Sequence, residues 1–253
     1  MPAVTRNGAR IEYEVTGDGP PLVLLHGFFG DRSSWHHAGH VAALAPRFRL
    51  ILIDLIGHGG SDTPADPARY LSSEHARDIV AVLDDLAIDR AAVWGASMGG
   101  RISFHLMAGF PGRVTALVVG AAHTGIIPMD KAEAEQEIAL LQEQGTAPFA
   151  ATIEPEWMRQ VTLRQDGRAL AAQLIAGASD QPPPATLDSI EIPVLLLIGD
   201  KDPRLDAVKI TAQRLTDAQV AILTGCNHFD AFARTDLTLP LVLEFLGTAA
   251  DRR

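Results

Sequence analysis

Six apolar runs, each four to six residues long, punctuate the chain at residues 21–25, 49–53, 91–94, 114–119, 194–198 and 220–223. They are too continuous for half-exposed strands and predict strands buried on both faces, as a parallel sheet requires. Between them, apolar residues recur at helical spacing over 33–44, 72–86, 98–109, 205–215 and 229–246. Strand and helix in strict alternation predict an α/β fold with a mostly parallel, doubly wound sheet. Residues 5–15 add an N-terminal antiparallel pair, turned by Asn7-Gly8.

One stretch breaks this rhythm. Residues 123–189 contain no convincing strand but carry helical patterns at 131–144, 154–164 and 168–176, and close on the stiff run Gln181-Pro182-Pro183-Pro184. Their apolar residues, including Ile126, Ile127, Met129, Phe149, Trp157, Met158, Val161, Leu163, Leu174 and Ile175, exceed what a thin helical layer needs for itself. The expected organisation is a core of 1–122 and 190–253 with 123–189 inserted as a helical lid over a pocket.

Composition narrows the function classes. A chain of 253 residues, 47 % hydrophobic and 21 % charged, has ordinary globular usage and length enough for one large domain with an insertion. The formal charge of −10 repels a phosphate backbone, so nucleic acid is not an expected partner. No apolar run is long enough to span a bilayer and the first residues have no hydrophobic signal core; the expectation is a cytoplasmic protein with no membrane partner. The single cysteine, Cys226, excludes an intrachain disulfide and any cysteine-cluster metal site, and reads as a small packing residue.

The chemistry concentrates at Gly95-Ala96-Ser97-Met98-Gly99, a G-x-S-x-G set between an apolar run and a helical pattern. Glycines there relieve the crowding of a sharp strand-to-helix turn, which can lift a serine hydroxyl into the open. A serine nucleophile needs a base, and the base an orienting carboxylate. Two later runs end in such residues: Gly199-Asp200-Lys201-Asp202 follows 194–198, and Gly225-Cys226-Asn227-His228 follows 220–223. Both lie past the carboxyl ends of predicted parallel strands, where ligands bind in open α/β sheets. His36, His37 and His40 offer no third ligand at suitable spacing, so no metal is expected.

Taken jointly, His26-Gly27-Phe28, the run Asp54 to Ser61 (DLIGHGGS), Gly95 to Gly100, Gly199 to Asp202 and His228 resemble the α/β-hydrolase superfamily, over nearly the whole chain. The resemblance implies Ser97 as nucleophile, His228 as base and Asp202 as the orienting acid, with Asp200 capping the following turn. It implies an oxyanion hole from the backbone N–H groups of Phe28 and Met98. Phe29, Arg101, His123, Trp157 and Phe229 are the expected substrate contacts; His26 and His58 are expected to be scaffold residues bonded to neighbouring turns. No cofactor is implied, the partner is a small-molecule substrate, and a homodimer stays open.

Ala96 stands where many esterases have histidine, and Ser97-Met98-Gly99-Gly100-Arg101 is similar to the elbow of the menaquinone-pathway lyase of this superfamily. In that enzyme an arginine at this place helps bind substrate carboxylates; Arg101 one helical turn after Ser97 is otherwise a salt-bridge residue. Three readings follow. The leading one is a serine hydrolase of a carboxylic ester, thioester or lactone. The second keeps the triad for lyase, C–C bond hydrolysis or haloperoxidase-like chemistry. The third is a ligand receptor on a hydrolase fold, which failure of a fluorophosphonate to label Ser97 would favour.

Overall fold

The structure is a computed structural model that describes residues 1–125, 130–180, 183, 188 and 191–251, the side chains of Ala250 and Asp251 excepted. Eight strands form one sheet: β1 (Ala3–Arg6), β2 (Ala9–Thr16), β3 (Pro21–Leu25), β4 (Arg49–Ile53), β5 (Ala91–Ala96), β6 (Val114–Gly120), β7 (Val194–Gly199) and β8 (Ala218–Leu223). Their order is β1-β2-β4-β3-β5-β6-β7-β8. The β1–β2 and β2–β4 pairs are antiparallel and the rest parallel. At the β1–β2 turn Asn7 and Gly8 take φ of 49° and 77°, the left-handed pair that a tight hairpin favours.

Alternation along each strand divides its side chains between two cores. Val23, Leu25, Ile51, Ile53, Val93, Leu117, Val119, Leu196 and Ile198 join one cluster with residues of α3 (Ser72–Asp85), α4 (Met98–Gly109) and α9 (Leu205–Arg214). Their neighbours Leu22, Leu24, Leu50, Leu52, Trp94, Val118, Leu195 and Leu197 meet α1 (Ser33–His37), α2 (His40–Leu44) and α11 (Thr235–Asp251) on the other face. Both faces being covered, the strands read as unbroken apolar runs.

Two expected helices are each divided. Residues 33–44 form α1 and α2, because Gly39 at φ 86° interrupts the helical path while the apolar spacing carries on through it. Residues 229–246 fall into α10 (Asp230–Ala233) and α11, parted at Arg234 with ψ of 69°. Between β6 and β7 stand α5 (Lys131–Gln144), a short unforeseen α6 (Ala147–Ala150), α7 (Glu156–Leu163) and α8 (Gly167–Ser179). Asp166 caps α8, accepting from the Arg168 and Ala169 amides at 2.8 and 3.2 Å. Within this segment α5 packs on α8, while α7 reaches α1 and α8 reaches the turn Pro67–Tyr70. Of the expected covering residues, Val161 is buried, Phe149, Trp157, Met158 and Leu174 are half-buried, and Leu163 and Ile175 are exposed; Ile126, Ile127, Met129 and all but Pro183 of the proline run lie outside the described residues.

Candidate active site

The carboxyl ends of four strands, β3, β5, β7 and β8, converge on Ser97. At the end of β5 the chain turns into α4 with Ser97 at φ 51° and ψ −111°, a conformation costly for any residue with a Cβ. The Ser97 amide donates to the Gly120 carbonyl at 2.7 Å, which holds the turn against β6. Its flanking glycines are sterically required: a Cβ on Gly95 would sit 2.3 Å from the Gly99 carbonyl oxygen, and one on Gly99 2.4 Å from that of Leu25.

His228 and Asp202 meet this serine although 131 and 26 residues separate them in turn along the chain. The Ser97 hydroxyl lies 3.0 Å from His228 Nε2, and His228 Nδ1–H donates to Asp202 Oδ2 at 2.6 Å. That second bond fixes the tautomer that leaves Nε2 free to accept. The Asp202 side chain is 0 % exposed. Burial pushes its carboxyl up, but the bonds from His228 and from the Arg204 amide outweigh this and hold it below the usual carboxylate value. Asp200 is placed differently from expectation: it accepts from the Gly225 amide at 2.8 Å, bracing the loop after β8 that carries His228 rather than the turn that follows it.

Beside the serine runs the loop after β3. A Cβ on Gly27 would come within 3.6 Å of Ser97 Cβ, so this backbone lies against the nucleophile candidate. Met98 opens α4, where helix geometry leaves the first amides without an internal acceptor. Among the described residues, neither its amide nor that of Phe28 donates to a backbone carbonyl. Two buried histidines grip the loop. The Leu55 amide donates to His26 Nε2 at 3.1 Å, leaving His26 Nδ1–H to donate to the Gly27 carbonyl at 2.9 Å. His58 Nε2 lies 2.8 Å from the Phe28 carbonyl and Nδ1 lies 3.1 Å from that of Ile56; the neutral ring has one N–H, and the shorter contact takes it. Burial holds His26 at about 4 and His58 at about 3, so both are neutral at neutral pH.

The expected substrate contacts scatter. All three guanidinium nitrogens of Arg101 are engaged: Nε donates to Asp180 Oδ2 at 3.4 Å, Nη1 to the Gly125 carbonyl at 3.1 Å and Nη2 to the Asp180 carbonyl at 3.4 Å. Arg101 thus forms a salt bridge and ties α4 to both ends of the inserted segment, with three of its five N–H groups engaged in these contacts. His123 is buried, accepts from the Gly125 amide at 3.1 Å, and is held low first by burial and then by Arg101 and Arg204. Phe29 packs edge-on against Phe28, with ring centroids 4.9 Å apart, and 5.5 Å from Phe149. Phe229 lies edge-on to His228 at 5.7 Å and is 44 % exposed. Trp157 instead stacks on His37 at 5.8 Å and faces Phe232. His36 pairs with Glu14 and His40 with the Phe232 carbonyl, so the three histidines of that stretch serve three different partners.

Arg204 was not among the expected site residues. Its Nη1 lies 3.3 Å from Asp202 Oδ1 and 3.2 Å from His228 Nδ1, flanking the imidazole–carboxylate pair. The only signal in the sequence is an arginine two residues past the acid.

An eight-stranded, mostly parallel sheet with helices on both faces, and a hydroxyl, an imidazole and a buried carboxylate gathered at the carboxyl ends of its strands, place the chain in the class of α/β hydrolases. Comparison makes the membership firm: the family model described as "alpha/beta hydrolase fold" matches residues 20–147, and the chain belongs to that family. It is 28 % identical, over 93 % of its own length and 95 % of the relative's, to a Bacillus subtilis protein named, provisionally, 2-succinyl-6-hydroxy-2,4-cyclohexadiene-1-carboxylate synthase. It is also 28 % identical to 3-oxoadipate enol-lactonase 2 of Acinetobacter baylyi over 79 % of each chain. A hydrolase of Pseudomonas aeruginosa superposes with a TM-score of 0.86 at 25 % identity, covering 97 % of this chain and 98 % of the other.

Proposed function

We propose that the protein is a serine hydrolase of a carboxylic ester, thioester or lactone. The observation that carries this reading is the unbroken line from Ser97 Oγ through the His228 imidazole to Asp202, with spacings of 3.0 and 2.6 Å. Ser97 Oγ adds to the substrate carbonyl carbon as His228 Nε2 takes its proton, and the carbonyl oxygen becomes an anion facing the Phe28 and Met98 amides. Collapse expels the alcohol, thiol or ring oxygen, which receives the proton from His228, and leaves Ser97 acylated. Water then attacks the acyl carbon with His228 as base, and the acid departs.

Helices α5–α8 act in this reading as a lid. Phe28 and Phe29 of the loop beside Ser97 pack with Ile138, Phe149 and Leu174 around buried Leu141, Leu170 and Ala171. That apolar seam favours substrates with an apolar acyl or alcohol portion. The name of the Acinetobacter relative supports lactones within the class. The name of the Bacillus relative keeps lyase chemistry with the same triad as a second reading, in which Arg101 would meet a substrate carboxylate while its Nε stays paired with Asp180.

Intact-mass detection after exposure to an ester, a thioester and a lactone panel tests the reading. An acyl adduct on wild type that is absent from S97A is expected. Hydrolysis of short p-nitrophenyl esters by S97A at the wild-type rate would end it.

A further inference from the structure

We propose that His58 is a positioning residue for the oxyanion hole: by donating to the Phe28 carbonyl, it fixes the backbone that aims the Phe28 N–H at the developing anion. The inference rests on the reading of Ser97 as nucleophile. A trans peptide points its N–H opposite its C=O, so the Phe28 N–H is oriented on one side by whatever holds the Gly27 carbonyl and on the other by whatever holds Phe28 itself against rotation through its own carbonyl. Two donors hold the Gly27 carbonyl, the Gly30 amide and His26 Nδ1–H, both at 2.9 Å. Those grips secure one side of Phe28 from within its own loop. The other side is its own carbonyl, and the donor there is His58, thirty residues further along the chain.

Nothing in the packing of the core asks for an imidazole at this place. His58 is 2 % exposed, and an enclosed polar ring is costly unless bonded, so an apolar residue would fill the space at less cost. Its value lies in reach. Gly57 and Gly59 take φ of 87° and 56°, which swings the loop after β4 toward the loop after β3 and brings the ring over Phe28. Among the described residues, His58 is the one side chain from outside residues 26–31 that donates to a backbone atom of that loop. With both flanking carbonyls held, the Phe28 amide keeps its direction before substrate arrives, which is what oxyanion stabilisation requires.

The test compares H58F, which keeps a ring but removes the donor, with H58Q, whose amide can still donate. On p-nitrophenyl acetate, H58F should lose about 10- to 100-fold in kcat with KM within about threefold, and H58Q should recover a large part of the loss. A second readout uses a trifluoromethyl ketone and the matching secondary alcohol as inhibitors. Ser97 Oγ adds to the ketone carbon, its proton passes to His228, and the negative charge falls on the former ketone oxygen; the alcohol forms no such anion. H58F should weaken the ketone by the same factor as kcat and leave the alcohol unchanged. A kcat for H58F within threefold of wild type, equal weakening of both inhibitors, or no gain in H58Q over H58F overturns the proposal. If H58F does not fold, the inhibitor pair on H58A, which also lacks the donor, against H58Q decides: a ketone-selective weakening of at least threefold in H58A relative to H58Q supports the role, and equal ketone affinities overturn it. Should wild type hydrolyse no ester, thioester or lactone, the proposed function fails, whereas a ketone preference lost in H58F still upholds the positioning role.

Discussion

At the scale of single residues, two aspartates two positions apart have been given opposite work. Asp202 receives the imidazole N–H, whereas Asp200 receives a backbone amide from the loop that carries the imidazole. Replacing Asp202 with asparagine keeps the shape but removes the ionised acceptor that selects the tautomer, and D202N should lower kcat/KM by about 10³- to 10⁴-fold at neutral pH. D200N loosens one loop contact and should stay within about fivefold. Steady-state kinetics of both variants on one p-nitrophenyl ester check the assignment, and a D202N enzyme near wild type would move the acid elsewhere. The order serine, acid, histidine and the turn glycines were legible because each obeys a local rule. His58 and Arg204 were not read as site residues, because the Phe28 carbonyl and the His228 ring that they meet lie 30 and 24 residues away and no local pattern foretells such contacts.

At the scale of elements, Arg101 joins α4 to the segment between β6 and β7. Its side chain and that of Asp180 are 12 % and 8 % exposed, and Asp180 also accepts from the Ser72 hydroxyl. Removing one partner of so enclosed a pair strands the other, so R101M should cost about 3 kcal/mol of stability in urea unfolding. Its activity should fall in equal proportion on neutral and carboxylate-bearing esters; a loss confined to carboxylate-bearing esters would restore the substrate-binding role. The elements themselves were readable wherever both faces of a strand are buried, since such strands become continuous apolar runs. The breaks at Gly39 and Arg234 were not, because apolar spacing persists across both and only the backbone angles change. The short helix Ala147–Ala150 offers a single turn, too brief for periodicity to register.

At the scale of the whole molecule, buried histidines set the response to acid. Burial depresses His26, His40 and His75 to about 4 and His58 to about 3, against about 6.5 in the unfolded chain. Above pH 6.5 neither state binds these protons and stability is unaffected by them. As pH falls from 6.5 toward 4 the unfolded chain takes protons up and the native one does not, so each ring removes up to about 1.4 kcal/mol per pH unit. Asp54, which burial raises to about 6, works against this over part of the same range. Urea midpoints should therefore drop steeply between pH 6.5 and 5, and H75Q should reduce the measured proton uptake on unfolding by about one. A flat profile across that window would contradict the neutral, enclosed state of these rings.

The sheet order places the strand of Ser97 between β3 and β6, enclosed on both sides and both faces, whereas the strand that delivers His228 is the last in line, with one free flank and several half-exposed residues. Fraying begins at margins, where fewer contacts must be given up. The two halves of the reactive pair thus rest on foundations of unequal depth. Warmed gradually, the chain should release the loop that carries His228 from the rim while Ser97 stays seated, so on the proposed reading activity should vanish at a lower temperature than the far-ultraviolet circular dichroism.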